Sequence, residues 1–190
     1  MVQINRKTKE TDIVASMELL SGGKTDIDTG VGFFDHMLEA FAKHSYMHLE
    51  IKCKGDTYVD DHHTVEDVGI VIGQLLHKAL YPIESIERYG NASVVMDEAC
   101  VSCDLDISNR GFLIFDMPID GKVGQFDVEL VEEFFRAVAF NASITIHLVC
   151  QRGKNRHHII EAAFKALAVA LRRATAYNER AGIPSTKGIL

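Results

Sequence analysis

Asp60-Asp61-His62-His63-Thr64-Val65-Glu66 and Asn155-Arg156-His157-His158-Ile159-Ile160-Glu161 carry the same His-His-x-x-Glu pattern 95 residues apart in a chain of 190. An interval of half the chain points to a duplicated unit that kept its chemically demanding residues in both copies. On a helix, positions i and i+4 share a face, so His62 with Glu66, and His157 with Glu161, can each grip one cation. Adjacent helical residues diverge by about 100°, so His63 and His158 need a different ion. Two such clusters brought together supply imidazole and carboxylate ligands for a pair of divalent metals, a set suited to manganese, iron or zinc rather than calcium. A polar surface helix is the bland alternative.

The repetition extends outward from the histidines. Met47 to Cys53 alternates apolar and polar residues, and Ile144 to Cys150 does the same with one lapse at Val149. A helical pattern precedes each of these strands (Phe33 to Lys43, Val128 to Phe140), and an apolar helix follows each cluster (Val65 to Leu80, Ile159 to Ala174). Further strands are predicted over Ile13 to Leu20, turning at Gly22-Gly23, and over Ala92 to Met96, Cys100 to Ser108 and Phe112 to Met117. This order predicts an α+β fold, an internally duplicated two-layer sandwich in which each half is a small sheet covered on one face by helices. The chain reads as one catalytic domain of two repeats, about 1–88 and 89–190, with the boundary near Glu84 to Asn91.

At 190 residues and 47% hydrophobic composition the chain can build a substantial core. No apolar run approaches the ~20 residues of a membrane span, and no apolar segment follows the charged N-terminus, so a cytoplasmic location is expected. A net charge of −7 argues against a nucleic-acid surface but allows a local basic pocket for a small anion. Cys100 and Cys103 invite a zinc or redox reading. Their flanking alternation (Val101, Cys103, Leu105, Ile107) instead predicts packing cysteines on a strand in a reducing compartment, and Cys53 and Cys150 read as core residues.

Other residues join the clusters as candidates. His36 lies early on the first predicted helix, and aligning Phe33–His44 with Leu130–Asn141 sets it opposite Glu133, so each half can offer one more ligand. His44 lies two turns beyond His36 on the same face. His48 and His147 fall on polar strand faces, and His77 on a helix away from the clusters. Arg88, Arg110, Lys165 and Lys187 suit a phosphate, the last beside the hydroxyls of Ser185 and Thr186. Asp60 and Asp61 are placed to cap the helix or to orient ligand imidazoles.

Gly30-Val31-Gly32-Phe33-Phe34-Asp35-His36-Met37-Leu38, Asp60 through Asp67, Asn155 through Ala162, and Pro184-Ser185-Thr186-Lys187-Gly188 together closely resemble the imidazoleglycerol-phosphate dehydratase family of histidine biosynthesis. The resemblance covers nearly the whole chain. It implies two manganese ions per active site and a homo-oligomer of 24 subunits with sites between neighbouring chains. Carried over by position, one ion is held by His36, His63, His157 and Glu161, and the other by His62, Glu66, His158 and Glu133, where many members carry histidine. The same mapping implies substrate contacts from Glu10, His36, His44, His62, Glu66, Arg88, Arg110, His157, Lys165, Ser185, Thr186 and Lys187. The basic residues and terminal hydroxyls among them would meet the phosphate. No fused second enzymatic domain, such as the phosphatase that accompanies this activity in some bacteria, is expected within this length.

In that reaction no carbonyl flanks the departing proton. Lewis acids on both imidazole nitrogens of the substrate would favour an imidazolate able to expel the adjacent hydroxyl, leaving a diazafulvene-like intermediate. The family mapping makes Glu10 the acid/base residue. A dinuclear phosphate-ester hydrolase and a metal-storing oligomer are the rival readings; the first would release phosphate, and the second would leave the basic residues without a partner. His63→Ala and His158→Ala are each expected to lower bound manganese and abolish turnover, whereas His77→Ala does neither. Metal analysis and assay of the purified variants decide this, and equal loss at His77 counts against the site map.

Overall fold

The structure, a computed structural model, describes residues 1–22 and 24–188. Gly23, half of the predicted Gly22-Gly23 turn, lies outside the described residues. In the first half, strands β1 (Val2–Lys7), β2 (Thr11–Glu18) and β3 (Thr25–Asp28) are followed by helix α1 (Gly32–Ser45), strand β4 (His48–Gly55) and helix α2 (His62–Leu80). The second half repeats this order with β5 (Tyr89–Met96), β6 (Ala99–Asp106), β7 (Phe112–Asp116), a small hairpin β8 (Lys122–Val123) and β9 (Phe126–Asp127), α3 (Leu130–Ala142), β10 (Thr145–Arg152) and α4 (Arg156–Ala174). The sheets have matching orders, β1-β2-β4-β3 and β5-β6-β10-β7. In each, the one parallel pair (β3 with β4, β7 with β10) flanks a helical crossover, as parallel neighbours require.

Alternation decides which sheet face is covered. Ile13, Ala15 and Met17 on β2, and Leu49 and Ile51 on β4, are buried, while Asp12, Val14, Glu50 and Lys52 between them are exposed. Helices α2 and α4 are buried nearly all round, because a sheet covers one side and a helix of the other half covers the opposite side. The partners are exchanged between halves: α1 packs on α4, and α2 on α3. Where these pairs meet, Phe134 stands 5.2 Å from Phe34 and 5.1 Å from Phe164, within one apolar core that runs through both halves.

The expected α+β duplication is therefore present, with extensions. β1 escaped the periodicity reading because only Val2 and Ile4 mark its inner face, and β3 because Ile27 is its sole apolar residue. Each cluster helix starts about three residues before its apolar run. Asp60 Oδ1 accepts the His62 N–H (2.8 Å), and Asn155 Oδ1 accepts those of His157 and His158 (2.9 and 3.4 Å), satisfying amides that otherwise end a helix. All four cysteines are free; Cys100 and Cys103 are buried as expected. Cys53 and Cys150 are only half-buried, a correction that follows from their place near the ends of β4 and β10. Burial, and then the charges of Asp67 and other acidic neighbours, still push the Cys53 thiol up to about 12.

One polar fastening distinguishes the halves. The buried Asp67 of α2 accepts from Arg6 Nη1 and Thr11 Oγ1 of β1 and β2, each at 2.5 Å. Counted along the repeat, these three positions are Ala162, Val94 and Ala99 in the second half, apolar residues on the corresponding elements α4, β5 and β6. Removing one member of a buried ion pair strands its partner, whereas replacing the whole group by apolar residues is tolerated. Asp67→Ala is expected to cost about 3–5 kcal/mol in urea unfolding. The triple change Arg6→Val, Thr11→Ala, Asp67→Ala should restore most of that loss.

Candidate metal centre

The α1–α4 contact brings His36 to the second cluster. His36 Nε2 lies 3.5 Å and His157 Nε2 3.1 Å from Glu161 Oε2, and the three ligand atoms lie within 4.8 Å of one another. Among the described residues this is the one group of three or more such side chains close enough to hold an ion. Glu161 is buried, and its other oxygen accepts from Lys165 Nζ at 2.6 Å. Burial favours the protonated form of Glu161. The Lys165 hydrogen bond and charge, with His36 and His157, outweigh that effect and hold the carboxyl below its usual range. Oε2 is thus left facing two imidazoles. The His157 ring is steadied edge-on by Phe33, 5.2 Å away.

His62 Nε2 and Glu66 Oε2 stand 3.6 Å apart on α2, as the i, i+4 spacing requires. Neighbouring cluster rings diverge: His62 and His63 are 6.2 Å apart and turned by 84°, and His157 and His158 are 6.3 Å apart and turned by 76°. His63 and His158 accordingly face carboxylates outside the groups just described. His63 Nδ1 contacts both oxygens of Asp56 (3.0 and 3.1 Å), and its Nε2 lies 3.7 Å from Glu10 Oε1. His158 Nδ1 contacts Glu98 Oε2 at 2.8 Å. These hydrogen bonds raise the basicity of both imidazoles, and the His158 bond with the N–H groups of Asn155 and Lys154 brings Glu98 down to about 2. Glu133 on α3 is half-buried and makes no hydrogen bond or ion pair among the described residues. Burial, and then the nearby cations Lys165 and Arg172, lower the basicity of His44.

A second concavity of about 780 Å³ gathers Arg88, Ser108, Arg110, Ser185, Thr186 and Lys187. Arg88 is fixed there by a bidentate pair with Asp106 (2.7 and 3.1 Å), by the Pro184 carbonyl (2.7 Å) and by the face of Tyr89. Arg110 is largely exposed and makes only a 3.7 Å ion pair with the second oxygen of Asp106. Lys165 does not line this concavity. Its pairing with Glu161, one turn earlier on α4, keeps it at the imidazole cluster, apart from the other basic residues expected at a phosphate. Asp60 serves the helix backbone and Asp61 makes no capping bond; orienting His63 falls to Asp56. Sequence reasoning passed over Asp56, Glu98 and Asp106, since single acidic residues in or beside turns carry no periodic signal.

Fold and site together define a duplicated α+β protein that gathers a carboxylate and two imidazoles close enough to hold a cation, and that carries a separate concavity lined by basic side chains. The family model described as imidazoleglycerol-phosphate dehydratase matches residues 29–171. The enzyme of that name from Sulfurovum sp. (strain NBC37-1) is 69% identical and that from Sulfurimonas denitrificans 66%, each over 190 residues and the full length of both chains. The crystal structure of imidazoleglycerol-phosphate dehydratase from Staphylococcus aureus subsp. aureus N315 shares 44% identity, covers 93% of this chain and 98% of its own, and superposes with a TM-score of 0.83. For the Pyrococcus furiosus protein, crystallised in complex with (S)-C348, the values are 41%, 98%, 100% and 0.86. The chain belongs to the imidazoleglycerol-phosphate dehydratase family, hydro-lyases of histidine biosynthesis. Among the described residues no helix is long and apolar enough to cross a membrane.

The two arginines of the basic pocket should separate on substitution. Arg110→Ala is expected to raise KM about 10- to 100-fold, the loss of one charge-assisted contact, with the melting temperature unchanged. Arg88→Ala should raise KM and also lower the melting temperature, because Asp106 loses its bidentate partner and keeps only the longer 3.7 Å pair with exposed Arg110. Steady-state kinetics and thermal melts of both variants test this.

Proposed function

We propose that this chain catalyses the manganese-dependent dehydration of D-erythro-imidazole-glycerol phosphate to imidazole-acetol phosphate and water, with two ions per active site. The carrying observation is the convergence of His36, His157 and Glu161 from sequence-distant helices in a member of this family. Two imidazoles and an ionised carboxylate fit manganese, which accepts nitrogen and oxygen ligands together. His36, His63, His157 and Glu161 would hold one ion, and His62, Glu66, His158 and Glu133 the other. Within one chain His63 is not part of the His36 group, and His158 faces Glu98 rather than His62 and Glu66. A chain that leaves each ligand set divided supports an assembly, proposed as 24 subunits, in which neighbouring copies complete the sites.

Bound manganese supplies Lewis acidity to the imidazole nitrogens of the substrate. The protein's own residues do the rest. Arg88, Arg110, Ser185, Thr186 and Lys187 hold the phosphate, and Lys165 keeps Glu161 ionised. Glu10 takes the proton from the carbon next to the one that loses hydroxide; that proton and the hydroxide account for the water, and the enol left behind becomes the ketone. The support for Glu10 is its place 3.7 Å from His63, on an exposed turn beside the first cluster. Incubating the manganese-loaded protein with imidazole-glycerol phosphate should give the ketone without free phosphate. Phosphate release would favour a hydrolase instead. Glu10→Gln should retain manganese while kcat falls by about 10²–10⁴, the range for loss of a general acid/base.

A further inference from the structure

The two halves can be aligned through their strand registers. Arg6 pairs with Ile13 across the β1–β2 hairpin, and Val94 with Val101 across the β5–β6 hairpin. The hairpins therefore correspond at an offset of 88 residues, which sets Glu98 on Glu10, each the last residue of its turn before β2 or β6. Both carboxylates face the second histidine of their own half's cluster. Glu10 Oε1 stands 3.7 Å from His63 Nε2, whereas Glu98 Oε2 makes a 2.8 Å bond with His158 Nδ1.

Their surroundings differ. Glu98 is fully engaged, since its Oε1 also accepts the N–H groups of Lys154 (3.1 Å) and Asn155 (2.7 Å) in the turn that starts α4. The Glu10 carboxylate accepts no hydrogen bond among the described residues. In the first half Asp56 meets His63 Nδ1 instead. Counting past the bulge between Cys150 and Arg152, the position matching Asp56 is Lys154, a cation that cannot accept an imidazole proton. The second half thus lacks the carboxylate that orients the first half's histidine, and the hairpin glutamate stands in its place.

We infer that Glu98 is a positioning residue for His158: it holds the proton on Nδ1 and ties the ring to the start of α4, so that Nε2 carries the lone pair a cation needs. The same assignment explains why one of two equivalent glutamates is free for chemistry, for Glu10 is relieved of this duty by Asp56. A carboxylate that fixes a ligand imidazole typically changes metal affinity 10- to 100-fold when removed. Nearby Asp97, 3.7 Å from His158 Nε2, sits on the cation side of the ring and cannot replace Glu98 at Nδ1.

The inference rests on the reading of His158 as a metal ligand, and the test separates the two. Binding of Mn²⁺ alone to the metal-stripped full chain is followed by the electron paramagnetic resonance signal of free Mn²⁺. Glu98→Ala is expected to weaken binding about 10- to 100-fold at one class of ion. Glu98→Ala combined with His158→Ala should bind no more weakly than His158→Ala, because the effect of Glu98 passes through that ring. A purely architectural glutamate would add its own loss in the double variant, and that result, or unchanged affinity in Glu98→Ala, overturns the inference. Unchanged binding in His158→Ala removes the ligand reading and the inference with it. Should Glu98→Ala fail to fold, Glu98→Gln, of equal length but with one acceptor oxygen fewer, is put through the same comparison.

Discussion

The packing of α1 on α4, and of α2 on α3, is the constraint on which the rest of the molecule depends. Each half has a sheet whose inner face needs cover, and its own two helices do not form the closest pair. Exchanging helix partners between halves buries α2 and α4 on both sides and joins two small units into one core, a size at which burial sustains a stable fold. The exchange also creates the site. His36 reaches Glu161 because α1 lies against the helix of the other repeat, so the interface that stabilises the fold is the one that collects the candidate ligands.

Within this shared frame the halves have diverged by local chemistry. Where the first half fastens α2 to its sheet with Arg6, Thr11 and Asp67, the second uses apolar residues at the same positions. The hairpin glutamates and the carboxylates on His63 and His158 show the same pattern of one backbone layout serving two side-chain solutions. Strand register and helix pairing tolerate such exchange because they depend on the apolar face and the backbone bonds rather than on any single polar contact.

Much of the fold was legible in the chain, for physical reasons that differ by element. The buried strands and four helices announce themselves by periodicities of two and 3.6, since each must present an apolar face to the core. β3 was not legible because an edge strand with one inward residue has almost no face to show. The i, i+4 pairs His62–Glu66 and His157–Glu161 followed from helix geometry, as did the divergence of adjacent histidines. Lys165 lay one turn past Glu161 in plain view. Its pairing there, rather than in the anion pocket, depended on which carboxylate was buried beside it.

By itself the sequence determined the duplication, the α+β class and the residue types of the candidate site, because these are local properties of spacing and residue type. Only the tertiary structure decided which of those residues meet. His36 and His157 are far apart along the chain, and no local rule states that α1 pairs with α4 rather than with α2. Nor could spacing reveal that Asp56 and Glu98 hold the two outer histidines, since hydrogen bonds between a turn and a helix depend on how the sheet delivers the turn. Periodicity shows how much surface an element must bury; the fold selects the element that covers it, and with that choice the polar side chains that come together.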